Sequence, residues 1–141
     1  MIQRIQTLWL FLSAACAGLY IFLPVYKGVT LFGIARIISI RENLFLYSAC
    51  AILTALSLIT IFQYKNRKSQ KRLIVLDILL TIAVFVSQYF LVEFFKPVLE
   101  ISQGDWQMTA ILPLFILVFH VFAYRGVVAD EKLLSSADRM R

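Results

Sequence analysis

Two titratable side chains, Asp77 and His120, stand inside long apolar runs of this sequence, and they are where its chemistry must be sought first. Asp77 lies four residues after Leu73, where one run opens, and His120 lies four residues before Tyr124, where another closes. At about 1.5 Å of rise per helical residue, both fall about 6 Å below the same membrane face. An ionisable group inside a membrane helix costs about 2.5 to 3.5 kcal/mol, which makes it a functional hypothesis by default. Aspartate beside histidine can relay a proton, because imidazole titrates in the physiological range. The same placement also fits a polar clasp between antiparallel helices, or an Asp77 carboxylate reaching the headgroup zone near Arg72. Depth favours these structural readings, since the insertion cost falls steeply towards the interface.

The remaining polar groups are sparse. Gln88 sits near the middle of its run and is expected to hydrogen-bond a neighbouring helix. Glu93 and Lys96, three apart, can pair at the outer rim as a solvated ion pair. Cys16 and Cys50 form no CxxC motif and read as small buried hydrophobes. Metal-ligand spacings, nucleophile elbows and phosphate-binding glycine loops are absent from the sequence. No catalytic residue, cofactor or metal ligand is therefore expected, and the chain does not read as an enzyme.

The elements that must position these residues are set by hydropathy. The chain has 141 residues, 61% of them hydrophobic, with a mean hydropathy of +0.84, well above the roughly one half typical of soluble domains. The bilayer is its expected solvent. Four runs approach the roughly 20 residues that a spanning helix needs: 8–26, 44–64, 73–95 and 109–124. The fold class expected is an all-α membrane protein, four transmembrane helices in an up-down bundle forming one integral membrane domain, 1–141. Trp9 falls where an interfacial aromatic anchor belongs. The charged start and Ala15-Cys16-Ala17 imitate a cleaved signal, but hydrophobicity continues unbroken through Leu23, so an uncleaved span is expected. Pro97 is expected to stop the third helix, and Pro113 is tolerable in the first turn of the fourth. The connector 27–43 is too charged to span and too apolar for a free loop. Its β-branched residues permit a hairpin, and the spacing of Leu31, Ile34 and Ile38 permits an interfacial helix. The tail, 125–141, has the spacing of an amphipathic helix.

Charge orients the bundle. Lys65, Arg67, Lys68, Lys71 and Arg72 crowd the turn between the second and third runs, and such a turn stays cytoplasmic. With Arg4, Arg125, Lys132, Arg139 and Arg141 they place ten basic residues on one face, against four on the other, so both termini are expected in the cytoplasm. The net charge of +6 is explained by this topology and by anionic headgroups, which leaves nucleic acid without a role.

Three stretches carry a family resemblance: Met1 to Thr7 (MIQRIQT), Ile61 to Gln70 (IFQYKNRKSQ) and Asp130 to Arg141 (DEKLLSSADRMR). Together they resemble the domain of unknown function family 4293, small four-span inner-membrane proteins of Bacteroidetes-type bacteria. The resemblance implies that architecture and a bacterial inner (cytoplasmic) membrane, and it carries no catalytic or binding residues. On the derived topology all three stretches lie on the cytoplasmic face. Gln3, Arg4 and Gln6 are expected to join Lys65, Arg67 and Lys68 of the turn and Asp130, Glu131, Asp138 and Arg139 of the tail in one contact surface. The function expected is that of a non-enzymatic accessory or scaffolding subunit of a membrane protein complex, its partners being membrane lipids and another membrane protein. The competing expectation is a small transporter or proton-coupled component using Asp77 and His120.

Overall fold

In the computed structural model the backbone is described for residues 2–139 and side chains for residues 5–64 and 66–133. Four helices dominate: α1 (Ile2–Tyr20), α2 (Leu44–Phe62), α3 (Arg67–Val98) and α4 (Leu112–Arg139). Each packs on its sequence neighbour and α1 packs on α4, which closes an up-down ring. Among the described residues three helices are long and apolar enough to cross a membrane, and α1 contributes a shorter apolar stretch, Ile5–Tyr20.

Buried positions repeat at alternating steps of four and three in all four helices. They are 6, 10, 13, 17 and 20 in α1; 46, 50, 53, 57 and 60 in α2; 70, 74, 77, 81, 84, 88 and 91 in α3; and 113, 116, 120, 123 and 127 in α4, with Ala14 and Val92 buried beside this series. This is the heptad seam of a left-handed bundle, in which each buried residue inserts between neighbours on facing helices. Phe11, Leu19, Ile52, Leu79, Phe90 and Phe122 point outwards, as expected where the surroundings are hydrocarbon.

Local sequence sets the ends. The Asn43 carboxamide oxygen accepts from the backbone N–H of Phe45 and Leu46 at 3.0 and 3.2 Å, and that of Asn66 accepts from Ser69 at 3.2 Å. Both are N-caps that satisfy donors a helix start leaves open. Pro113 is the second residue of α4, where its missing N–H costs nothing. Pro97, by contrast, does not stop α3, which continues to Val98. The aversion of the preceding residue to helix is only a bias. The stop is Glu100, whose φ of 53° turns the chain left-handed after the cap residue Leu99 donates to the Phe95 carbonyl.

The expected all-α fold needs one addition. A three-stranded antiparallel sheet, ordered β2-β1-β3, sits on one end of the bundle, built from β1 (Pro24–Thr30), β2 (Ala35–Ser39) and β3 (Ile101–Trp106). The connector 27–43 is thus a hairpin, with Gly33 at a φ of 77° in its turn. Strand β1 begins at Pro24, so the first helix ends at Tyr20 and not at residue 26. Gly104 is required by close approach: a Cβ there would fall 2.6 Å from the Lys27 carbonyl oxygen. The sheet shares a core with the helices, in which Val25, Tyr26, Ile38 and Ile40 pack with Tyr20, Leu46, Cys50 and Val92.

Helix lengths differ with a consequence for the two ends. α1 and α2 have 19 residues each, about 28 Å, matching a hydrocarbon core of about 30 Å. α3 has 32 residues and overhangs at the sheet end; α4 has 28 and overhangs at the other. The tail expected as a separate helix is therefore the unbroken continuation of α4.

Candidate functional site

The heptad seam delivers polar side chains to the bundle interior in three levels. At the end carrying the basic turn, Gln6 (α1) and Gln70 (α3) are buried, and the Gln70 amide donates to the Thr60 carbonyl of α2 at 3.3 Å. Gln6 lies against Gly126 of α4, and Tyr64, Arg67 and Asp130 close round the same spot. Arg67 Nη1 stands 3.5 Å from Asp130 Oδ2, and Lys71 pairs with Glu131. Two turns of α3 and two consecutive residues of α4 are thereby latched together. Lys68 is exposed. The side chains of Gln3, Arg4, Lys65, Asp138 and Arg139 lie outside the described residues.

One heptad further in, about 10 Å along the axis, Asp77 and His120 meet. Both are fully buried, with His120 Nε2 at 3.7 Å from Asp77 Oδ2 and 3.0 Å from the Ser57 hydroxyl. Ser13 of α1, also fully buried, occupies the same heptad level and donates to the Leu10 carbonyl at 2.7 Å. Nearby, the Thr60 hydroxyl donates to Leu56 and the Thr81 hydroxyl to the Asp77 backbone carbonyl. As a result both Asp77 carboxylate oxygens, and His120 Nδ1, are buried without a well-formed hydrogen bond, although the Thr60 hydroxyl stands near the carboxylate and the Ile116 backbone near the imidazole. Burial removes the alternative in which Asp77 reaches headgroups near Arg72: its position in the seam turns the side chain to the bundle interior. Nε2 faces a hydroxyl and a carboxylate together, the hydroxyl within hydrogen-bond distance and the carboxylate just beyond it; a proton can pass between the two residues only from an imidazolium to the carboxylate, or from a protonated Asp77 to an unprotonated Nε2.

The third level lies about 16 Å beyond Asp77 along α3. The Tyr20 hydroxyl donates to Gln88 Oε1, and Gln88 Nε2 donates to the Ala110 carbonyl at 3.0 Å. Gln88 thus bonds diagonally opposite α1 and the turn that precedes α4. Between this level and Asp77 the interior is closed by Ala17, Leu53 and Ile116, which form an apolar cluster. Outside the ring at this level, an apolar groove of about 1160 Å³ runs between α3 and the start of α4.

Trp9 takes a place that its sequence context did not announce, whereas the Glu93–Lys96 pair forms as its spacing predicts. Trp9 packs on α4, its ring 5.8 Å from that of Phe119 and 5.2 Å from that of Phe122. Glu93 and Lys96 pair at 2.6 Å. Cys16 and Cys50 are free thiols. Among the described residues no three His, Cys, Asp or Glu side chains gather as a metal site. Tyr20, Ser57 and Ser13 were missed as site residues; the signal that finds them is the four-three spacing of small and polar residues, since apolar residues occupy the outer faces as well.

These features define a class: a small helical bundle of membrane character, capped by a sheet at one end and seamed with polar side chains. Within that class the particular assignment is direct. The family model described as Domain of unknown function (DUF4293) matches residues 2–140, and the chain belongs to that family. No curated protein and no solved structure matches it.

Proposed function

We propose that this chain is an integral inner-membrane protein, its four helices spanning the bilayer with both termini cytoplasmic, that serves as a non-enzymatic accessory or scaffolding subunit of a membrane protein complex. The observation that carries the reading is the overhang of α4. Its last two turns run past the bundle, and Arg67–Asp130 and Lys71–Glu131 fix the helix where it leaves. A helical extension that carries both charges in its sequence, latched where it leaves the bundle, is suited to engaging a partner. The excess of Lys and Arg at that end supports a cytoplasmic orientation. The apolar layer of Ala17, Leu53 and Ile116 argues against a path for solute through the ring.

The test is to tag the carboxyl terminus at native expression level, extract in mild detergent after crosslinking, and identify stoichiometric partners by mass spectrometry. A partner that is lost when Arg67 and Lys71 are both changed to Glu supports the reading. Recovery of the chain alone after crosslinking overturns it.

A second reading, a proton-coupled component, is favoured by one observation: the unsatisfied carboxylate of Asp77 against His120. Buried polar atoms without partners are uncommon and call for an explanation beyond packing. Asp77→Asn and His120→Gln abolish a relay while leaving a scaffold assembled, so activity of the assembled complex in these variants separates the two.

A further inference from the structure

The groove between α3 and the start of α4 has an organised polarity along its length. Its inner part is walled by Phe85 and Val86 of α3 and Leu114 and Phe115 of α4; its outer part ends at Tyr89 and Trp106. The rings of Tyr89 and Trp106 stack 6.1 Å apart and nearly parallel, in the kind of position that aromatic side chains take at a membrane interface. At its floor lies Gln88, 4% exposed. A carboxamide has two N–H donors; one serves the Ala110 carbonyl, and among the described residues no acceptor is bonded to the other. Tyr20, which bonds Gln88, ends α1, and Ala110 precedes α4. Gln88 therefore stands level with the end of the bundle, at the depth where the hydrocarbon core gives way to the ester carbonyls of bilayer lipids.

Beyond that level α3 continues alone beside the sheet, and two turns past Tyr89 it presents Lys96. Lys96 Nζ lies 5.2 Å from the centre of the Tyr26 ring, and Tyr26 packs edge-on against Trp106 at 5.6 Å. The ammonium is paired with Glu93 Oε1 at 2.6 Å. Past the outer end of the groove α3 thus carries one positive and one negative charge, Lys96 on the Tyr26 side and Glu93 also lining the neighbouring groove beside Asn43, and the two together complement a phosphate and an ammonium.

We propose that this groove is a binding site for a zwitterionic glycerophospholipid, with an acyl chain along Phe85, Val86, Leu114 and Phe115, an ester carbonyl on the spare Gln88 N–H, and the headgroup over Lys96 and Glu93. The inference rests on the membrane placement of the bundle and on no partner protein. The overhang of α3 acquires a purpose on this reading: it carries the charge pair out to headgroup height while the sheet walls one side.

The experiment uses the purified full chain reconstituted in vesicles of equal phosphatidylethanolamine and phosphatidylglycerol, re-extracted in mild detergent and examined by native mass spectrometry. The expected result is one retained phosphatidylethanolamine per chain. Leu114→Trp, which fills the groove from a part-exposed position, abolishes retention, and Gln88→Met lowers it about three- to tenfold, the scale of one hydrogen bond. Size-exclusion and thermal melting in detergent identify variants that remain folded, and Leu114→Trp keeps the test open if Gln88→Met unfolds. No retained lipid, preferential retention of phosphatidylglycerol, or undiminished retention by folded Leu114→Trp overturns the proposal. None of these outcomes bears on the partner pull-down, so the two readings fail separately.

Discussion

The two polar levels at Asp77 and Gln88 make an instructive pair, because they use the same scaffold and differ in how they are satisfied. At Gln88 the groups are neutral, and Tyr20, Gln88 and Ala110 form a chain of donors and acceptors. At Asp77 the groups are ionisable, and both carboxylate oxygens are left without a hydrogen bond. A clasp needs only the first arrangement. The second spends burial on groups that gain little from it, and a buried ion pair is weak support for stability in general. Both levels tie helices together, Gln88 through a complete chain of neutral bonds and His120 through Ser57, but only at Asp77 is a buried polar group left without a bond that would contribute to holding.

Reversible unfolding in mixed micelles can break this contrast. His120→Ala is expected to have the largest effect, about 3 kcal/mol of destabilisation, since it opens a cavity in a fully buried site and removes the partner of Ser57. Gln88→Leu is expected to cost about 2 kcal/mol by leaving the Tyr20 hydroxyl and the Ala110 carbonyl without partners. If Gln88→Leu is neutral, the third level is not a clasp. Asp77→Asn is expected within about 1 kcal/mol of the parent, because no hydrogen bond to the carboxylate is lost. A loss as large as that of His120→Ala would return Asp77 to a purely structural role. The smallest effect is reserved for the latch: a double-mutant cycle with Arg67→Ala and Asp130→Ala is expected to give a coupling of about 0.5 kcal/mol, as for a part-exposed ion pair.

The helices were legible from hydropathy because long apolar runs admit few alternatives. Their ends were less so. Leu23-Pro24-Val25-Tyr26 prolongs the hydrophobicity of α1 and hides the start of β1, while Ile101 to Trp106, with Gly104 and Asp105 inside it, carries weak strand signals. β3 becomes a strand by pairing with β1, more than 70 residues away, and a local reading does not see that contact. Of the site, Asp77 and His120 were visible as titratable residues out of place. Their distance from the end of the bundle was not legible, because α3 begins at Arg67, within the basic turn, and the bundle extends further towards that end. Ser57 and Tyr20 were not visible, since a serine or tyrosine in an apolar run is unremarkable until the four-three register is applied to polar positions.

The packing of α1 against α4 also bears on how the molecule is made. α1, made before the other three helices of the bundle, carries Gln6, Ser13 and Tyr20 on its inner stripe and Trp9 beside it, yet Gly126, Phe119 and Phe122, against which Gln6 and Trp9 rest, all belong to α4. Until Leu112–Arg139 emerges from the ribosome, part of that stripe has no permanent neighbour, and the chain must wait as an open three-helix arc. Completion of α4 is then what closes the ring, so a protein truncated within α4 is expected to be handled by the cell as an unfinished one, which its degradation rate relative to the full chain measures.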